Sequence, residues 1–85
     1  MRQIELLNIN RNDIGDSGLI HLAEASYMSN LTQLYLDDNN IGTSGVCALA
    51  SSKFITKLTL LSLKNNNVGN DAFNYLLISN SFDSL

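Results

Sequence analysis

The chain offers few residues from which a reaction could be built. Its one histidine, His21, would act as a general base only with a partner held within hydrogen-bond reach, and the sequence puts none beside it. An exposed helical histidine is the plainer reading. Cys47 has no adjacent Lys, Arg or His to favour the thiolate, so it reads as a small, partly buried apolar residue. One Cys and one His cannot make a zinc site. Asp37, Asp38, Asn39 and Asn40 are rich in oxygen, yet no glutamate closes a calcium loop at the EF-hand spacing. Gly42-Thr43-Ser44-Gly45 has the small residues of an anion-binding helix start but lacks the Gly-Lys-Ser/Thr ending of a P-loop. Asn30-Leu31-Thr32 matches a glycosylation acceptor, and its apolar centre, expected to open a core strand, argues for a chance match. The expectation is a protein with no catalytic residues, no metal and no cofactor.

Composition narrows the remaining functions. The 85 residues are 45% apolar and 15% charged, with a net charge of −3. That suits one folded domain over residues 1–85 and not a disordered tail. Without a block of Lys or Arg, strong electrostatic binding to nucleic acid or to an anionic membrane is not expected. No apolar run approaches the roughly 18 residues of a membrane span. Met1-Arg2-Gln3-Ile4-Glu5 lacks the apolar stretch of a signal peptide. The single Cys47 cannot close an intrachain disulfide. Together these features point to an intracellular, cytoplasmic setting.

What must position any site is a repeat. The segment from Ile4 to Gly15 aligns with that from Leu31 to Gly42 and that from Leu58 to Gly69, at a period of 27 residues. The repeats are 4–30, 31–57 and 58–84, and Leu85 begins a further one. The pattern L-x-x-L-x-L-x-x-N-x-I-G-x-x-G-x-x-x-L matches at 23 of 24 fixed positions if Leu, Ile and Val are equivalent. The departure is Ala72, against Gly18 and Gly45.

Each unit reads as a strand, a turn and a helix. Leu7 and Ile9 alternate, as do Leu34 and Leu36, and Leu61 and Leu63, which marks short strands with one buried face. A helical return between them makes the strands parallel. Apolar residues at helical spacing follow: Leu19, Leu22, Ala23; Val46, Leu49, Ala50; Phe73, Leu76, Leu77. Gly15, Gly42 and Gly69 permit unusual dihedrals before each helix. Asp16, Thr43 and Asn70 stand next and are good N-caps. Met28, Ile55 and Phe82 share an apolar position in the return. Asn12, Asn39 and Asn66 lie just past each strand. A carboxamide both donates and accepts, so stacked Asn side chains can satisfy the buried backbone of the turns.

With these residues the chain resembles a leucine-rich repeat protein, most closely the ribonuclease-inhibitor-like subtype also seen in NOD-like receptors. The resemblance covers nearly the whole chain. It implies an α/β solenoid: a right-handed horseshoe segment with a concave parallel sheet, convex helices and an Asn ladder. It also implies partner binding across the concave face. The repeat is slightly shorter than is usual for the subtype, which implies a shorter return after the helix.

On the concave face the residues between the buried leucines point outward. The candidate contacts are Leu6, Asn8 and Arg11, then Gln33, Tyr35, Asp37 and Asp38, then Leu60, Ser62 and Lys64, with Asn10 and Asn65 at the remaining outward places. Tyr35 lies at the centre, and tyrosine is enriched in binding hot spots. Leu6 and Leu60 are apolar on a face that should be wet. Lateral neighbours lie about 4.8 Å apart in a parallel ladder, so Arg11 faces Asp38 and Asp37 faces Lys64. Pairing among themselves would account for these charges without a partner, and exposed pairs contribute only about 0–1 kcal/mol.

Neither end reads as a polar capping repeat. The expectation is a fragment of a larger array, or a chain that stacks end to end into homo-oligomers, or a short chain that tolerates bare ends. The function expected is a non-catalytic module that binds a protein partner, with neither nucleic acid nor membrane involved. The rival is a structural segment whose repeat ends stack on other repeats.

Overall fold

A computed structural model describes residues 4–69. Asn70, Phe73, Leu76, Leu77 and Phe82 lie outside them. The alternating leucines form three strands of three residues each: β1 (Leu6–Asn8), β2 (Gln33–Tyr35) and β3 (Leu60–Ser62). They make one parallel sheet in the order β1-β2-β3. Leu6 pairs with Gln33 and Gln33 with Leu60, so each strand residue faces the one 27 positions later. Backbone bonds continue past the strands: the Ile9 amide donates to the Tyr35 carbonyl at 3.1 Å and the Leu36 amide to the Ser62 carbonyl at 2.8 Å.

A left-handed backbone ends each strand. Arg11, Asp38 and Asn65 have φ of 62°, 58° and 56°, and Asp13 and Asn40 have φ of 50° and 57°. Asn and Asp adopt this region more readily than other residues with a Cβ. The Asn-rich turns thus have a backbone cause, and Arg11 is the exception to it.

Helices α1 (Gly15–Ala23) and α2 (Thr43–Ala50) pack side by side, and a 3-10 turn at Ser26–Met28 lies in the first return. Sheet and helices enclose a core in which Leu19, Leu31, Leu34, Leu36, Ile41, Val46, Leu49, Ile55 and Leu58 are fully buried. Leu7, Ile9, Leu61 and Leu63 only lean against it; among the described residues β2 is the strand with a neighbour on each side. Met28, Ala23 and Ala50 complete the buried set, while Leu22 is partly covered.

The helix starts differ from the sequence expectation. Asp16 and Thr43 are not N-caps of their own helices. Those positions are Ile14 and Gly42, and neither makes a side-chain cap bond. Asp16 instead caps the next helix: its Oδ1 accepts from the Gly42 amide at 2.7 Å and the Gly45 amide at 2.9 Å. These are the N-cap and N3 amides of α2, two groups a helix leaves without internal partners. The reason is proximity. Asp16 sits inside the first turn of α1, against Gly45, where a Cβ would stand 2.6 Å from Asp16 Oδ1. Of the three glycines expected to need unusual dihedrals, only Gly15 has a positive φ, 64°. Gly42 is plainly extended.

Candidate functional site

The open face of the sheet collects the outward residues into lateral rows. Leu6, Gln33 and Leu60 form one row, and Asn8, Tyr35 and Ser62 the next. Leu6 is 52% exposed, while Gln33, Tyr35, Leu60 and Ser62 are half-buried. Asn8 is exposed, and its Oδ1 accepts from the Asn10 amide at 3.1 Å. Tyr35 therefore stands on the central strand between two short polar neighbours. Its hydroxyl makes no hydrogen bond within the described residues, so its polar tip is unspent.

The following row is a second side-chain ladder. Asn10 Oδ1 accepts from the Asp37 amide at 2.7 Å, and Asp37 Oδ1 accepts from the Lys64 amide at 2.9 Å. Asp37 Oδ1 also accepts from the Ser62 hydroxyl at 2.6 Å. The Ser62 hydroxyl holds the Asp37 carboxyl below the usual carboxylate range; desolvation opposes it, and the Lys64 amide and ammonium assist. Among the described residues no ion pair joins Asp37 to the Lys64 ammonium. The expected charge pairing is replaced by bonds to a hydroxyl and an amide, which lie closer to the strand than the end of a long lysine does. Asn10, left out of the expected contacts, is thus a scaffold residue, and its signal was the same 27-residue offset. Arg11 and Asp38 do approach, with Nε 3.8 Å from Oδ2, and the arginine side chain is 84% exposed.

The site is made stiff from behind. Asn39 is fully buried. Its Oδ1 accepts from the Asn12 amide at 2.9 Å and the Ile14 amide at 3.3 Å. Its Nδ2 donates to the Ile9 carbonyl at 2.9 Å and the Asp37 carbonyl at 3.0 Å. Asn66 repeats the arrangement one unit on, accepting from the Asn39 and Ile41 amides at 3.0 and 2.9 Å. Asn12 is exposed and bonds only within its own turn through its side chain.

His21 and Cys47 lie in α1 and α2, away from this face. His21 is exposed, with Nδ1 2.7 Å from the Ser17 carbonyl oxygen. Cys47 is a half-buried free thiol. Among the described residues no group of three His, Cys, Asp or Glu side chains is arranged to hold a metal ion, and no helix is long and apolar enough to cross a membrane.

A family profile described as Leucine Rich repeat matches residues 4–23 and 27–50, just over half of the chain. No curated protein and no solved structure matches it. Repeats of this kind generally mediate protein–protein interaction and are typically non-catalytic. With parallel strands at a 27-residue offset and helices packed behind them, the chain belongs to the leucine-rich repeat family.

Proposed function

We propose that this chain is a non-catalytic interaction module that binds a protein partner across the open face of its sheet, with Tyr35 as anchor. The observation that carries the reading is Tyr35 itself: an aromatic residue on the central strand, half-buried, with an unspent hydroxyl, on a backbone cross-linked by two side-chain ladders. A surface already ordered loses little entropy on binding. Leu6, Gln33 and Leu60 extend the contact on one side. Asn8, Arg11, Asp38 and Lys64 frame it, and Asp37, fixed through one oxygen by Ser62, offers the other. The 27-residue offset supports three repeats of a ribonuclease-inhibitor-like horseshoe with this face concave. The free thiol of Cys47 and the absence of a basic block favour an intracellular role without nucleic acid or membrane.

Parallel affinity capture with the wild-type chain and with Tyr35→Ala tests this reading, followed by titration of the partner recovered. Loss of about 2 kcal/mol, some thirtyfold in affinity, is expected. Equal affinity for both would remove Tyr35 as anchor. A second reading, stacking of the repeat ends on further repeats, is favoured by Leu7 and Ile9, which are less covered than Leu34 and Leu36. Under that reading Leu6 and Ile4 variants, and not Tyr35→Ala, would change assembly.

A further inference from the structure

We infer that the helix side carries a separate contact surface, a groove across the C-terminal ends of α1 and α2 that docks on the same groove of a second copy of this chain. The groove encloses about 290 Å³, with Ile20, Ala23 and Ala48 along it and Phe54 as a wall. Small-molecule sites run from about 300 to 1,000 Å³, so this space lies at the bottom of that range. Its polar floor is already spent. Ser52 is buried, donates to the Ala23 carbonyl at 2.6 Å and accepts from the Phe54 and Ile55 amides at 3.2 and 3.0 Å. What remains for an occupant is apolar.

The rim identifies the occupant. Glu24 and Lys53 both line the groove and both are exposed, yet no ion pair joins them among the described residues. A surface that carries one acid, one base and an aromatic wall beside an apolar hollow contains its own complement. In a two-fold contact residue i meets j and j meets i. Glu24 of each copy then meets Lys53 of the other, and the two apolar hollows with their Phe54 walls are brought face to face. Tyr27, one repeat before Phe54, is 60% exposed.

Light scattering from about 1 µM to about 1 mM tests the pairing. The samples are the wild type, E24K, K53E, an equimolar mixture of the two, and the double variant E24K/K53E. Wild type should dimerise. Each single reversal places like charges opposite each other twice and should raise the dissociation constant at least about tenfold. The mixture should recover dimers, because every contact in that heterodimer joins opposite charges, and the double variant should recover them too. Circular dichroism checks that each chain is folded, and the neutral pair E24Q and K53Q should weaken the dimer in the same order. A wild type that stays monomeric at the highest concentration overturns the inference. So do single reversals that dimerise like the wild type, and a mixture that stays monomeric.

Discussion

Replacing Asn39 by alanine removes four hydrogen bonds but orphans only two backbone groups, and that difference sets the size of the loss. The Ile9 carbonyl, served by Asn39 Nδ2, is also served by Asn12 Nδ2 at 2.8 Å. The Asp37 carbonyl, likewise served, also receives the Arg11 amide at 2.9 Å. The amides of Asn12 and Ile14 have no acceptor among the described residues other than Asn39 Oδ1. A buried donor left unpaired costs about 1–3 kcal/mol, and Asn12 lies near water, so the total should be about 2–3 kcal/mol. For a domain of this size that is a fall of about 10–20 °C in Tm. Asn12→Ala is the control: its side chain is exposed, shares one carbonyl with Asn39, and should cost under about 0.5 kcal/mol. Urea denaturation followed by circular dichroism measures both. Equal losses at the two positions, or an unmoved midpoint for Asn39→Ala, would refute the accounting of donors and acceptors.

Asp16→Ala should cost about 1–3 kcal/mol, since it uncaps two amides of the neighbouring helix. Asp16→Asn, which keeps an acceptor, should cost less, and a denaturation midpoint unchanged in both would contradict the cross-helix cap. In Gly45→Ala, a gain in helix propensity of about 0.5–1 kcal/mol opposes the crowding of Asp16. Overpacking of about 1–3 kcal/mol should win, and a more stable variant would show that the two helices can part freely. Asp37 should make stability fall in acid. Its folded-state pKa lies below the unfolded one, so its contribution is whole above the ordinary carboxylate range and is lost as pH drops through the lowered value. Comparing wild type with Asp37→Asn between pH 6 and about pH 2 isolates this; identical acid limbs would exclude it.

The strand register could be read from the sequence because the apolar places in and beside β2 face the core: Leu31, Leu34 and Leu36 are all fully covered, and aliphatic residues recur at the same spacing 27 residues away on each side. The carboxamide at position 39 was legible for a similar reason, as a polar residue at a place the pattern keeps inside. Asp16 was misread because a helix start looks the same in sequence whether its cap comes from its own turn or from the next helix. Only the closeness of α1 and α2, set by Gly45, decides it. The bond from the Lys64 amide to Asp37 was not legible, where only a lateral Asp37–Lys64 charge pairing was expected, because a side-chain bond to a backbone amide leaves no mark on residue type: Asn10 does the same work one repeat earlier. The groove at Phe54 is lined by residues of two helix ends and of the return that follows, a meeting no periodicity records.

The side-chain bonds that join neighbouring units connect residues 25 to 30 positions apart. None of them refers to the ends of the chain, and most are carried by the Asn ladder and the backbone, which every unit repeats. Tandem duplication of a whole unit within the gene would keep the strand register and the Asn ladder in step, and only the places of Asp16 and Asp37, whose equivalents are Thr43 and Lys64 in the following units, would call for a compensating change. A frame-preserving insertion of one residue in the same place would displace all of those partners together. The molecule is thus permissive of growth in whole units and intolerant of anything smaller, so its evolutionary variation should appear as unit number and as the outward residues around Tyr35, while the spacing itself stays still.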